Sequence, residues 1–267
     1  MALGRTLMPH PDHEKNRAAW NEMVGIHYDH SDYRTKEFLA GQSKLMSVER
    51  AALGDVRGKH LLHLMCQFGL DTLSWAREGA VVTGVDISDE SIRRAEQLTR
   101  EAHLEATFVR SDVLDLIGVI NQKFDLVFQS YGTHIWISDI VRWGQVVAHH
   151  LKPGGTFFMI DSHPARVLFL NPPIGYFSAP PERTVGAPDY CDRDYKIKHE
   201  LVEWQHTMSD ILNALIDAGL TIEHVGEYNK SYFAEEPDWP KGSDGYWTPP
   251  SGPTMYPLMF SVKAIKR

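Results

Sequence analysis

Residues 60–86, HLLHLMCQFGLDTLSWAREGAVVTGVD, decide the fold. His60 to Met65 is a short, mostly apolar run of the kind that forms a fully buried parallel strand. Cys66-Gln67-Phe68-Gly69 turns the chain, and Asp71 to Arg77 reads as a helix carrying Leu73, Trp75 and Ala76. Gly79 ends that helix, and Val81 to Asp86 follows as a second, β-branched strand closing on a carboxylate. The stretch is therefore one βαβ unit. Its tight first turn and its terminal acid both fall at the carboxyl edge of a doubly wound sheet, where ligands bind.

Working outward, the alternation continues for about 100 residues. Ser88 is a plausible N-cap for a helix running to about Glu101, with Asp89 and Glu90 opposing the helix dipole. Glu105 to Arg110, Phe124 to Gln129 and Thr156 to Asp161 read as further strands, and a helix from Asp139 to about His150 precedes the last of them. Upstream, Ala18, Ala19, Trp20, Met23 and Val24 share one face of a helix over residues 14–24, and a second helix spans about Lys44 to Leu53. Residues 1–13, rich in Pro and His, read as a disordered or loosely docked tail. Residues 162–200 are rich in Pro and aromatics and lack periodicity, as a lid or binding loop does. Met208 to Ala218 is an amphipathic helix, and strands over Leu220 to Tyr228 and Tyr256 to Ile265 flank a second aromatic loop. The expected organisation is an N-terminal helical cap over 1–55 and one α/β domain over 56–267 with its insertion at 162–200.

Composition narrows the function. At 267 residues, 43% hydrophobic, the chain can bury one sizeable core. No run is apolar enough to span a bilayer and no leader is evident, so a soluble cytoplasmic protein is expected. A net charge of −8 without a block of Lys or Arg argues against a phosphate-tracking surface, so nucleic acid is not an expected partner. Two cysteines build no disulfide framework, and the fourteen histidines show neither HxxxH nor HExxH spacing, so no metal is expected.

"GVDIS" at 84–88, "SDVLDL" at 111–116 and Leu-Lys-Pro-Gly-Gly at 151–155 stand in order around the first turn. In this the chain resembles the class I S-adenosylmethionine-dependent methyltransferases, over about 58–161 by motifs and 207–265 by a helix-strand-strand pattern. The resemblance implies a Rossmann-like, mostly parallel seven-stranded sheet with an antiparallel last strand and helices on both faces. It implies S-adenosylmethionine as cofactor and S-adenosylhomocysteine as product. Asp86 matches the acid that holds both ribose hydroxyls, Ile87 the residue packing on adenine, and Asp112 and the Val113 N–H the groups that read the adenine edge. Gln129 falls beneath the reactive centre. The plain alternative for Asp86 and Asp112 is that each only caps the following helix. Both stand at strand ends on one edge, which favours the ligand role.

The first turn departs from the family's D-x-G-x-G-x-G: His63, Met65, Gln67 and Gly69 occupy those positions. Gly69 alone keeps the expected type, and His63 replaces an acid as acceptor for the methionine ammonium only if neutral. Gln67 and backbone carbonyls are expected to share that work. The wording resembles a bacterial, small-molecule-type subgroup. Candidate general bases at the carboxyl edge are His134, Asp161 and His163, the alternative being that the first bonds backbone and the others anchor the insertion. Tyr28, Tyr33 and Trp20 are candidates for an aromatic lid over the sulfonium, the alternative for Trp20 being helix packing against the sheet. Tyr176, Phe177, Trp239, Tyr246 and Trp247 are candidates for the wall of an apolar pocket. The expected reaction is methyl transfer to O or N of a small molecule with an apolar or aromatic part. The rivals are another S-adenosylmethionine reaction and a non-catalytic relative. The oligomeric state is not legible.

Overall fold

The structure, a computed structural model, describes residues 10–169, 175–177, 180–236 and 238–267. Pro172 and Pro173 of the insertion, and most of the expected N-terminal tail, lie outside them. Three helices open the chain: α1 (Pro11–His27), α2 (Thr35–Leu39) and α3 (Ser47–Leu53). The alternating region then gives β1 (His60–Leu64), α4 (Leu70–Arg77), β2 (Val81–Asp86), α5 (Asp89–Glu101), β3 (Thr107–Arg110), β4 (Phe124–Ser130), α6 (Ile140–His150) and β5 (Leu151–Ser162). The insertion carries a short hairpin, β6 (Glu182–Thr184) and β7 (Leu201–Glu203). α7 (Met208–Asp217), β8 (Leu220–Tyr228) and β9 (Met259–Lys266) complete the fold.

The seven long strands form one sheet in the order β3-β2-β1-β4-β5-β9-β8. The first five run parallel, and β9 lies antiparallel between β5 and β8. Strand order reverses between β1 and β4, which opens a crevice at their carboxyl ends. Side chains alternate across the sheet. Leu62, Leu64, Val127 and Met159 pack under α6 and α7 on one face, and Leu61, Val82, Phe128 and Phe158 pack against α3 and α4 on the other. Ser88, Asp139 and Thr207 cap α5, α6 and α7 with their side chains, satisfying N–H groups that a helix start leaves free. Where α6 meets α7, a Cβ on Gly144 would lie 2.2 Å from the Ala214 carbonyl oxygen, so the two backbones touch there.

Two expectations need correction. Residues 11–13 are not part of a loose tail. Pro11 supplies the fixed φ suited to a first helical position, and His13 is buried. The insertion is not without regular structure, since Arg183 pairs with Val202 in the small hairpin. α1 lies against α5 and β7, across the carboxyl edge of the sheet. No helix among the described residues is long and apolar enough to cross a membrane.

Candidate active site

The first turn keeps a left-handed backbone at alternate positions: φ is 55° at Met65, 51° at Gln67 and 79° at Gly69. For the two residues with a Cβ this costs about 1–2 kcal/mol each. Three backbone hydrogen bonds hold it, from Cys66 N to Val85 O (2.8 Å), Gly69 N to Cys66 O (2.9 Å) and Gln67 N to Asp86 Oδ2 (2.8 Å). Gly69 is needed twice over, because a Cβ there would also lie 2.6 Å from the Phe108 ring. The same ring sits 2.6 Å from where Gly84 would carry a Cβ.

His63 lies under this turn. Its Nδ1 is 2.7 Å from Thr72 Oγ1 and its Nε2 3.2 Å from Ser130 Oγ, and burial pushes its pKa down to about 3. The ring is neutral with both nitrogens engaged, so it ties β1 to α4 and β4. It has no free nitrogen to offer a ligand.

Asp86 ends β2 with Oδ1 accepting from Ser88 N at 2.9 Å and Oδ2 from Gln67 N. Burial raises its pKa to about 6. Ile87 follows it, half-buried. Asp112 lies two residues beyond β3, accepts from Leu114 N at 2.9 Å, and pairs through Oδ2 with His13 Nδ1 of α1. Both acids thus cap and both stand at the ligand edge. Val113 begins the turn beyond Asp112 and is buried. α1 closes over these strand tips. Asn21 Oδ1 accepts from Ser88 Oγ (2.6 Å) and from Glu90 N (3.1 Å), and His13 Nε2 is 2.7 Å from Ser138 Oγ. The sequence reading missed His13 and Asn21. The usable signal was a helix whose inward face carries polar residues.

Tyr28 does not form a lid. Its ring is buried edge-on to Phe68, and its hydroxyl points to Glu101 at the far end of α5. Tyr33 does reach the first turn, where its hydroxyl accepts from Gln67 Nε2 at 2.8 Å and meets Tyr190. Its ring stacks on His27, whose Nε2 is 2.8 Å from Asp189 Oδ2. Both members of that His–Asp pair are fully buried, and neither was singled out from sequence. His27, Asp189 and Cys191 group closely enough to hold a metal ion, as do His30, Asp32 and Cys191. In the first group the imidazole–carboxylate bond already uses two of the three ligand atoms.

At the tips of β4 and β5, Gln129 is closed on protein: Trp143 Nε1 donates to its Oε1 (2.9 Å) and its Nε2 donates to Thr133 Oγ1 (2.8 Å). Asp161 is a loop anchor. Its Oδ1 accepts from Gly132 N (2.5 Å) and Ser162 N (2.7 Å), and its Oδ2 from the Thr133 N–H (2.8 Å), the Thr133 hydroxyl (2.7 Å) and His134 N (3.1 Å). Burial alone would raise its pKa, but His134 and these donors hold it below the ordinary carboxylate value, which disqualifies it as a proton acceptor. His163 is also spoken for, with Nε2 2.9 Å from Glu227 Oε1 and Nδ1 accepting from Ala165 N at 3.1 Å. His134 differs. Its Nδ1 lies 3.3 Å from Asp161 Oδ2, too poorly aligned for a hydrogen bond, and is buried without another partner.

Behind β4, Tyr131 takes a left-handed φ of 48°, stacks on Tyr232 and donates to the buried Glu49 at 3.0 Å. Tyr246 reaches the same carboxylate at 3.4 Å, and burial pushes Glu49 up to about 7. The expected aromatic wall is thereby dispersed. Tyr246 is buried on Glu49, Phe177 is 77% exposed, and Tyr176 accepts from Met208 N at the start of α7. Trp239 and Trp247 stand apart in the last loop, the latter under Lys241.

Comparison with known proteins agrees with this layout. Residues 61–155 match the methyltransferase domain model. A ubiquinone biosynthesis O-methyltransferase of Coxiella burnetii is 31% identical over 104 residues, 39% of this chain and 43% of that protein. An uncharacterised methyltransferase of Synechocystis is 31% identical over 145 residues, 52% of this chain and 64% of that protein. The chain thus spans less than half the length of the first of these relatives. Among solved structures, an S-adenosylmethionine-dependent methyltransferase from Mesorhizobium loti shares the fold with a TM-score of 0.55 at 24% identity, covering 85% of this chain and all of that one. Magnesium protoporphyrin IX methyltransferase of Synechocystis, with bound S-adenosylmethionine, gives 0.56 at 15% identity, covering 98% of this chain and 100% of that one. Residues 61–155 thus match a methyltransferase domain laid across the first turn and the strand tips, and the sheet around it has the fold of solved S-adenosylmethionine-dependent methyltransferases.

Proposed function

We propose that the protein moves a methyl group from S-adenosylmethionine to an oxygen or nitrogen of a small cytoplasmic molecule with an apolar or aromatic part. The observation that carries this reading is the first turn. Its alternate left-handed residues and the Gln67 N–H to Asp86 bond support, with Gly69 as the one glycine kept, a ligand cradle at the switch point of the sheet. The residues present fit the cofactor. Asp86 offers a fixed carboxylate to a diol, Asp112 and Val113 stand where an adenine edge would be read, and Gln67 and Tyr33 stand at the opposite, amino-acid end. When bound, the sulfonium supplies an electrophilic methyl group. What the chain adds is alignment and exclusion of water, which together lower such a barrier by roughly 7–11 kcal/mol. Residues up to 55 serve as the cover of the site and 162–200 as its second wall.

His134 is the residue we assign to the acceptor's proton. Asp161 beside Nδ1 favours the tautomer that leaves Nε2 as a lone-pair acceptor, the arrangement a general base requires. Asp161 acts through His134 and by holding residues 132–134 in place.

Calorimetric titration with S-adenosylmethionine and S-adenosylhomocysteine tests the cofactor. Absence of binding at millimolar concentration sinks the reading and leaves a protein that kept the fold alone. Incubation with methyl-labelled cofactor and a small-molecule extract then tests transfer. Label that stays on the cofactor points to a different reaction at the same site.

A further inference from the structure

Of the two His–Asp–Cys groups, the one built on His27 is closed by its buried imidazole–carboxylate bond. The other is open. A ring nitrogen of His30, a carboxylate oxygen of Asp32 and Cys191 Sγ all lie within 4.8 Å of one another. His30 and Asp32 stand in the turn after α1, which the bonds from His30 N to His27 O (3.1 Å) and from Tyr33 N to His30 O (3.2 Å) hold in shape. Lys44 Nζ donates to the Asp32 carbonyl at 3.1 Å and pins the turn from its other side. Cys191 comes from the insertion, in a tight loop closed by the bond from Asp189 N to Tyr195 O at 3.0 Å. Its own N–H donates to Asp189 Oδ1 at 2.8 Å, and its thiol has no hydrogen-bond partner among the described residues.

The donors suit a metal. His30 Nδ1 accepts from Asp32 N at 3.3 Å, so it carries a lone pair, as a ligand nitrogen must. Zinc bonds of about 2.0–2.3 Å put tetrahedral ligand atoms about 3.5 Å apart. His30 Nδ1 and Asp32 Oδ2 are already 3.6 Å apart. The Asp32 side chain is 72% exposed and free to turn toward the thiol. One nitrogen, one oxygen and one sulfur together favour a borderline cation over magnesium or calcium, which take oxygen alone.

We propose that His30, Asp32 and Cys191 form a site for a borderline-soft divalent cation, zinc above all, that clips the turn after α1 to the insertion. Water completes the fourth position, since His30 and Asp32 are both partly exposed. On binding, the sulfur exchanges its proton for the metal and the proton leaves to solvent. The neighbours on each side of the clip already meet: Tyr33 follows Asp32, Tyr190 precedes Cys191, and their hydroxyls bond. A metal there fixes both tyrosines above Gln67, whose Nε2 donates to Tyr33 Oη at 2.8 Å. Ligand spacing in the sequence gave no sign of this, because the thiol is contributed by a distant segment. The site is independent of the methyl-transfer reading.

The test is titration of the full, metal-stripped chain with zinc by calorimetry and with cobalt(II) by absorption. The wild type is expected to bind one zinc and to show a thiolate-to-cobalt charge-transfer band in the near ultraviolet. Cys191→Ser and Cys191→Ala should abolish that band. His30→Gln and Asp32→Asn should each weaken zinc at least about tenfold, the least that even outer partners of a metal ligand contribute. Thermal midpoints without metal show that each variant is folded, and the exposed position of Asp32 makes Asp32→Asn the mildest of them. Zinc should also slow hydrogen exchange in residues 28–33 and 189–195 together. No binding at micromolar zinc overturns the site. So does binding that survives in both Cys191 variants, which places the ion elsewhere among the fourteen histidines. Wild-type affinity in both His30→Gln and Asp32→Asn overturns it as well. Bound zinc that slows exchange in only one of the two segments overturns the clip.

Discussion

Asp86 shows how much one carboxylate can be asked to do. It braces the first turn through the Gln67 N–H, caps the chain at Ser88, and in the proposed function holds a ribose diol. Burial sets its folded pKa at about 6, above the ordinary 3.8, so its contribution to the stability of the free protein is full below about pH 4 and is lost as pH rises through 6. A diol donates best to the ionised form, so cofactor affinity runs the other way and falls as pH drops below about 6. Calorimetry from pH 5 to 8 should show that slope, with Asp86→Asn flattening it. Asp86→Ala should weaken binding at least about tenfold at pH 7.5, and unchanged affinity there would remove the ribose assignment. Acids at strand ends were legible because strand, turn and acid are adjacent in sequence. The partners of His13 and His27 were not, since they lie 99 and 162 residues away. Nor did spacing reveal that His63 would be closed by Thr72 and Ser130.

At the scale of elements, the strands and the helices of the alternating region declared themselves through apolar runs and caps. β6 and β7, at three residues each, are too short to show a period. At the first turn only Gly69 keeps the residue type expected of the family, yet the backbone is left-handed at all three positions, held by neighbours rather than by residue type. Phe108 is one of those neighbours. Gly69→Ala should therefore destabilise the protein by about 2–3 kcal/mol, combining left-handed strain with overlap on that ring. Phe108→Leu in the same chain should recover part of the loss in urea denaturation. Additive losses in that double-mutant cycle would show that the ring is not what the new methyl meets.

On the scale of the molecule, the two segments that cover the carboxyl edge are linked to each other as well as to the sheet. His27 of α1 bonds Asp189 of the insertion at 2.8 Å, with both side chains fully buried. Burial alone would raise the Asp189 pKa, but the His27 bond holds it below the ordinary carboxylate value. The pair thus adds stability above that value, and the gain is lost as pH falls through the folded pKa. Asp189→Ala should cost about 3–5 kcal/mol by stranding a buried partner. Hydrogen exchange should then quicken together in residues 11–27 and 182–203. Faster exchange in only one of them would mean that the two covers move separately. The order of the sheet has a consequence for synthesis. β8 pairs with no described strand except β9, and β9 also closes the open side of β5. The five parallel strands can assemble while translation continues, but β8 must wait for residues 259–266 to leave the ribosome. Until then β5 presents a bare hydrogen-bonding edge. A chain stopped before Met259 should therefore be recovered as aggregate rather than as a smaller soluble domain.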